Sequence, residues 1–89
     1  MNSTIMVVFT INIDSLPDNI QEILNHERQV VEQWKQEGIL EHLYLRPSKN
    51  GAVMMLTLSS EEDVRQLIET LPLYQFVQSV EFFPLIQQF

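Results

Sequence analysis

The 89-residue sequence has no cysteine, only two glycines, and five basic residues against twelve acidic ones. Without cysteine there are no disulfides and no thiolate metal sites, which leaves His26 and His42 as the sole imidazole candidates. A formal net charge of −7 works against the basic patches that neutralise phosphates, so nucleic-acid binding is not expected. Anionic membrane surfaces are disfavoured for the same reason, and the acidic balance promotes solubility. No apolar run approaches the roughly 20 residues needed to span a bilayer. The opening Met1-Asn2-Ser3-Thr4 carries no basic leader region and no small-residue cleavage site follows. These absences point to a cytoplasmic protein without a membrane partner, and the lack of cysteine fits a reducing compartment.

The length corresponds to a single domain spanning residues 1–89. A chain this short buries a modest share of its surface alone, and disulfides, a metal or a partner subunit usually make up the deficit. With no thiols, partner subunits are the expected source.

Ile5 to Ile13 is rich in β-branched residues and reads as a first strand. Pro17 suits a first helical turn, and Ile20, Ile23, Leu24, Val30, Val31 and Trp34 follow at helical spacing up to Glu37. Gly38 is the expected stop. Ile39 to Arg46 reads as a second strand. Pro47-Ser48-Lys49-Asn50-Gly51 is turn chemistry, with Asn50-Gly51 suited to the positive φ angles of a tight hairpin. Ala52 to Leu58 is a third strand. Ser59 with Glu62 has the spacing of a capping box for a second helix to about Leu71, and Leu71-Pro72-Leu73 ends it before a last strand, Val77 to Ile86. Strand, helix, hairpin, helix, strand is the split βαβ order. Right-handed crossovers then place both helices on one face of a four-stranded antiparallel sheet, a ferredoxin-like α+β fold.

Such a sheet alternates apolar and polar residues if its other face meets water. These strands do not: Met6 and Val8 oppose Ile5, Val7 and Phe9; Val53 and Met55 oppose Met54 and Leu56; Phe83 and Leu85 oppose Val80, Phe82 and Ile86. Two helices cover one face only, and an exposed apolar sheet marks an interaction site. The expected remedy is a homodimer packed sheet on sheet, or a larger homo-oligomer.

Glu27 is the sharpest local anomaly, because it falls near the middle of the apolar stripe of the first helix, one turn from Leu24 and from Val31. An ionised carboxylate does not enter a dry core unpaired. It must meet a cation or donor, line a cavity holding water, or take up a proton, and a carboxylate facing a cavity suits acid–base work. A structural buried pair, or a bend that returns Glu27 to solvent, are the competing explanations. On the second strand, alternation groups Leu40, His42, Tyr44 and Arg46 on one face and Ile39, Glu41, Leu43 and Leu45 on the other. The first set could line a pocket, with His42 exchanging a proton near neutral pH, Tyr44 donating a hydrogen bond and Arg46 holding a substrate carboxylate; a solvated or partner-facing edge explains the same pattern. Trp34 and Met54-Met55 read as core. Phosphate loops, metal-ligand spacings and nucleophile motifs are missing, so if the protein is an enzyme, proton transfer is the chemistry these residues support.

Glu27-Arg28, Trp34-Lys35-Gln36-Glu37-Gly38, Glu41-His42-Leu43-Tyr44 and Leu71-Pro72-Leu73-Tyr74 together resemble the muconolactone delta-isomerases. The resemblance implies a ferredoxin-like fold paired into a dimeric α+β barrel. It also implies a cofactor-free 1,3-proton shift on an unsaturated lactone in aromatic-compound breakdown, with a donor to stabilise the enolate oxygen. By position, Glu27 matches a family carboxylate and stands as the base, and His42 as proton carrier or enolate donor. Two departures leave the substrate open. The family continues with a polar, basic tail where this sequence reads Pro84-Leu85-Ile86-Gln87-Gln88-Phe89, and its polar hairpin is replaced by Ser48-Lys49-Asn50-Gly51-Ala52. A non-catalytic small-molecule-binding or assembly domain, and a cofactor-free monooxygenase of the same barrel type, are the alternatives.

Overall fold

The computed structural model describes residues 3–47, 50–86 and 88. Strand β1 (Ser3–Ile11) is followed by a short 3-10 turn (Ile13–Ser15), helix α1 (Ile20–Gln36), strands β2 (Leu40–Leu45) and β3 (Gly51–Leu58), helix α2 (Glu61–Ile68), a second 3-10 turn (Pro72–Phe76) and strand β4 (Val77–Leu85). The sheet order is β2-β3-β1-β4, with every neighbouring pair antiparallel. This is the βαββαβ architecture expected from the order of elements. Among the described residues no helix is long and apolar enough to cross a membrane.

The core lies between the helices and one face of the sheet. Ile5, Val7 and Phe9 of β1 stand opposite Leu56, Met54 and Ala52 of β3, and all six are buried. Val31 and Trp34 of α1 and Val64 and Ile68 of α2 close over them. The other face carries Met6, Val8, Val53 and Met55, half-buried by their sheet neighbours, with Tyr44, Phe83 and Leu85 exposed. No element among the described residues covers this face, so the apolar pattern on both sides of the strands is carried into the folded protomer.

Local chemistry explains most element ends, with four corrections to the expectations from sequence. Helix α1 begins at Ile20, not Pro17: Pro17 precedes the helix and its carbonyl accepts from Ile20 N at 3.2 Å. At the other end Gly38 takes φ +80°, its N–H donates to Lys35 O at 3.1 Å and Ile39 N donates to Trp34 O at 2.9 Å. This pair of bonds is the Schellman arrangement, which needs a left-handed residue after the helix. Helix α2 is capped by Ser60, not Ser59. The Ser60 hydroxyl accepts from Asp63 N at 3.2 Å, while the Ser59 hydroxyl donates to the Asp63 carboxylate at 2.6 Å. The capping pattern is therefore used one residue later than read, with Asp63 in place of Glu62.

The third correction concerns the hairpin. Ser48 and Lys49 lie outside the described residues, but Gly51 is seen to begin β3 and does not take a positive φ. Its glycine requirement is steric: a Cβ there would collide with the Phe9 carbonyl oxygen of β1. The first strand also ends earlier than expected, and Ile13 lies in the 3-10 turn half exposed.

The two glycines therefore respond differently to alanine. Gly38→Ala introduces a left-handed alanine into open space and is expected to lose about 1 kcal/mol. Gly51→Ala collides with backbone and is expected to lose about 1–3 kcal/mol, or more if β1 cannot shift. Urea denaturation of the two variants beside the unsubstituted chain gives the order directly.

Candidate functional site

A cleft of about 860 Å³ opens between α1 and the edge strand β2. Its floor contains Glu27, which is 8 % exposed and the one charged residue among the buried positions described. Helix α1 puts Glu27 there because it shares a stripe with Val31 and Trp34, the other buried residues of that helix. The second 3-10 turn supplies its partner: Leu73 N donates to Glu27 Oε1 at 3.1 Å across 46 residues of sequence. Pro72 opens that turn and the first bond within it is Tyr74 N to Leu71 O. The Leu73 N–H thus has no acceptor in its own turn, as is general for the first donors of a helix, and the carboxylate provides one.

Glu27 Oε2 has no hydrogen-bond partner among the described residues, and no buried side-chain oxygen or nitrogen described is left unsatisfied. Oε2 therefore keeps contact with the open space of the cleft. Burial pushes the Glu27 carboxyl above its ordinary range, while the Leu73 N–H and the nearby His26 pull in the opposite direction. Desolvation wins because the charged form gives up water on most sides and receives a single donor in return.

The arrangement of β2 differs from simple alternation, and this decides which expected site residues meet. Leu40 stands opposite Leu56, but His42 stands opposite Met55, so the register slips by one residue at Glu41. Glu41 is the extra residue of a β-bulge, and its carboxylate accepts from the Thr57 hydroxyl. A one-residue slip moves every later side chain to the opposite face. Leu40 remains buried on the helix side, whereas His42 and Tyr44 fall with Met55 and Val53 on the uncovered face of the sheet. Their rings stack with centroids 6.1 Å apart. Leu43 and Leu45 take the helix side, opposite Met54 and Ala52. The grouping of Leu40 with His42, Tyr44 and Arg46 on one face is thus corrected by the bulge.

Glu27, His42 and Arg46 all border the cleft, His42 from the strand whose ring side faces away, and Tyr44 does not border it. Arg46 is half-buried and follows His42 and Tyr44 in the alternation of β2, its guanidinium donating to Thr10 Oγ1 at 2.9 Å. Two basic residues not singled out from sequence, Arg28 and Lys35, join it. Three of the five basic residues of a chain of net charge −7 thus line one cleft, which also carries Glu32 and Glu41 beside Glu27. Their signal was present in the sequence as positions one and two turns along α1 from Leu24 and Arg28, beside the apolar stripe. Among the described residues no group of three or more His, Asp or Glu is placed to hold a metal ion.

A cleft with a pinned, partly desolvated carboxylate at its floor and cations at its rim can bind a small anion and move a proton. The family model of the muconolactone delta-isomerases matches residues 4–88. No functionally curated protein matches the sequence. Among solved structures, that of a muconolactone isomerase superposes with a TM-score of 0.79 at 18 % identity, covering 96 % of this chain and 90 % of that one. A candidate antibiotic biosynthesis monooxygenase from Bacteroides thetaiotaomicron superposes with a TM-score of 0.62 at 15 % identity, covering 99 % and 90 %. At these identities the two structures speak for the fold alone, while the family match spans nearly the whole sequence: this chain belongs to the muconolactone delta-isomerase family.

Proposed function

We propose that the protein is a cofactor-free isomerase that shifts a proton within an unsaturated, carboxylate-bearing lactone, with Glu27 as the base. The observation that carries this reading is the split role of the Glu27 carboxylate, one oxygen tied to Leu73 N–H and the other open to the cleft. The tie fixes the direction of the free oxygen, which is what a base needs for a productive geometry. The ionised carboxylate takes a proton from one end of a three-carbon unit conjugated to the lactone carbonyl. The electron pair moves into the conjugated system, the double bond shifts, and negative charge collects on the carbonyl oxygen. The same carboxyl group returns the proton at the other end, so nothing is gained or lost overall. Arg28 and Lys35 provide positive charge for the substrate carboxylate and the transient oxyanion, and Arg46 adds to it from the border of the cleft while its guanidinium is held by Thr10. His42 turns its ring to the uncovered sheet face, so it enters the reaction as enolate donor or proton carrier only where a second copy closes that face.

Tyr44 is 58 % exposed on the uncovered sheet face. It reaches substrate only if that face is closed by a second copy. We assign the face to self-association, since the half-buried methionines and valines and the exposed Phe83 and Leu85 form one continuous apolar surface. The assembly, acting on a small molecule in the cytoplasm, completes the reading.

Activity on muconolactone and related lactones, followed by the ultraviolet absorbance of the conjugated carbonyl, tests the assignment. Glu27→Gln keeps an acceptor for Leu73 N–H and is expected to lower kcat/KM by about 10²–10⁴-fold; unchanged turnover would remove Glu27 from the role. Oxygen uptake with an aromatic substrate, with no isomerisation, would move the protein to the monooxygenase alternative.

Because the base must be ionised, kcat/KM is expected to fall as pH drops through the Glu27 pKa, at a higher pH than for an ordinary carboxylate. The stability linkage has the matching sign. A carboxyl whose folded pKa is raised binds its proton more tightly when folded, so its contribution is most favourable below the unfolded value and is lost as pH rises through the folded one. The stability of Glu27→Gln relative to the unsubstituted chain is therefore expected to rise with pH across that window, as read by thermal or urea unfolding.

Met55→Asp puts a charge at the centre of the uncovered face and is expected to reduce the oligomer to single protomers or to less stable assemblies in sedimentation equilibrium. An unsubstituted chain that sediments as a folded single protomer at micromolar concentration would remove the self-association.

A further inference from the structure

The bulge at Glu41 gives the cleft an apolar wall where unbroken alternation would have given a polar one. Without the slip, His42 and Tyr44 would face α1; with it, Leu43 and Leu45 do. Both leucines border the cleft, yet they are left 39 % and 77 % exposed, and Leu24 faces them from α1 at 41 %. Three large apolar side chains that converge on a concave space without filling it leave an apolar surface for an occupant to cover. The volume of about 860 Å³ is of the size that takes a small molecule rather than a flat protein surface. Arg28, Lys35 and Arg46 line the same cleft together with Glu27, Glu32 and Glu41, so its polar part is of mixed charge and the chemistry of the occupant is amphipathic: a polar, charged group for that part and a hydrocarbon group for the leucines.

We propose that Leu24, Leu43 and Leu45 form a subsite for an alkyl substituent, so that this protein acts on a ring-alkylated lactone acid in preference to an unsubstituted one. The proposal rests on the isomerase reading for the reaction, and on the cleft alone for the binding preference. The bulge is the device that sets it, and its extra residue, Glu41, accepts from the Thr57 hydroxyl. Selection of this kind is modest in size, because each added carbon in an apolar pocket changes discrimination by about ten-fold or somewhat more.

The test uses the full chain with muconolactone and its methyl- and propyl-substituted homologues as substrates, and the corresponding saturated lactones as unreactive ligands. The unsubstituted chain is expected to favour the methyl homologue over the parent compound by about ten-fold, and the propyl homologue by more, both in kcat/KM and in the Kd of the saturated forms measured by calorimetry. Leu43→Ser and Leu45→Ser are expected to erase most of that ratio, while Ile13→Ser, an exposed apolar residue outside the cleft, leaves it unchanged. Turnover of all homologues at one rate would overturn the alkyl subsite and leave the isomerase reading standing. A leucine-dependent Kd ratio with no turnover of any compound would support the subsite and remove the isomerase reading. Failure to bind any of the saturated lactones overturns the subsite. So does a change of mass in sedimentation for the leucine variants with the ratio intact, since the leucines would then be a contact between copies of the chain.

Discussion

One carboxylate shared between a backbone donor and an open cleft organises the functional half of this molecule. Glu27 joins α1 to the 3-10 turn that leads into β4, and it does so from within the apolar stripe that binds α1 to the sheet. An apolar side chain at this position would bury as well but would strand the Leu73 N–H, whose loss of an acceptor costs about 1–3 kcal/mol. A carboxylate fully enclosed would face the larger cost of an uncompensated charge. Partial enclosure resolves the conflict. It is also the condition under which a carboxyl is held above its ordinary range and can exchange a proton with something in the cleft.

The β-bulge in β2 acts on the opposite wall. Edge strands tolerate an extra residue because one side of their ladder has no partner to disrupt. Here the insertion leaves Leu40 in the core and rotates the rest of the strand, so that the cleft receives leucines and the uncovered sheet face receives the His42–Tyr44 stack. The two surfaces left open by the protomer thereby differ in kind. One is a concave space with mixed charge and an apolar wall; the other is a broad apolar sheet bordered by aromatic rings.

How much of this was legible in the sequence follows the range of the interactions involved. The order of elements, the glycine stop after α1 and the two-sided apolar strands are set by neighbours a few residues apart, and the structure reproduces them. Where two nearby residues could do the same job, local reading erred by one position, as with Ser59 and Ser60. The constraint on Gly51 comes from Phe9, 42 positions away in the sequence, and not from its own turn. Glu27 stood out as an anomaly from helical periodicity, but its partner, a backbone N–H, carries no side-chain signature.

By itself, then, the amino-acid sequence determined the α+β fold, the stripe on which Glu27 lies and the excess of apolar surface on the strands, because periodicity and turn chemistry are local properties of the chain. Only the tertiary structure decided which side chains of β2 face the cleft and what Glu27 touches. A register slip depends on how one strand pairs with another, and a long-range hydrogen bond depends on two distant segments arriving together. Neither is written in the spacing of residues along either segment.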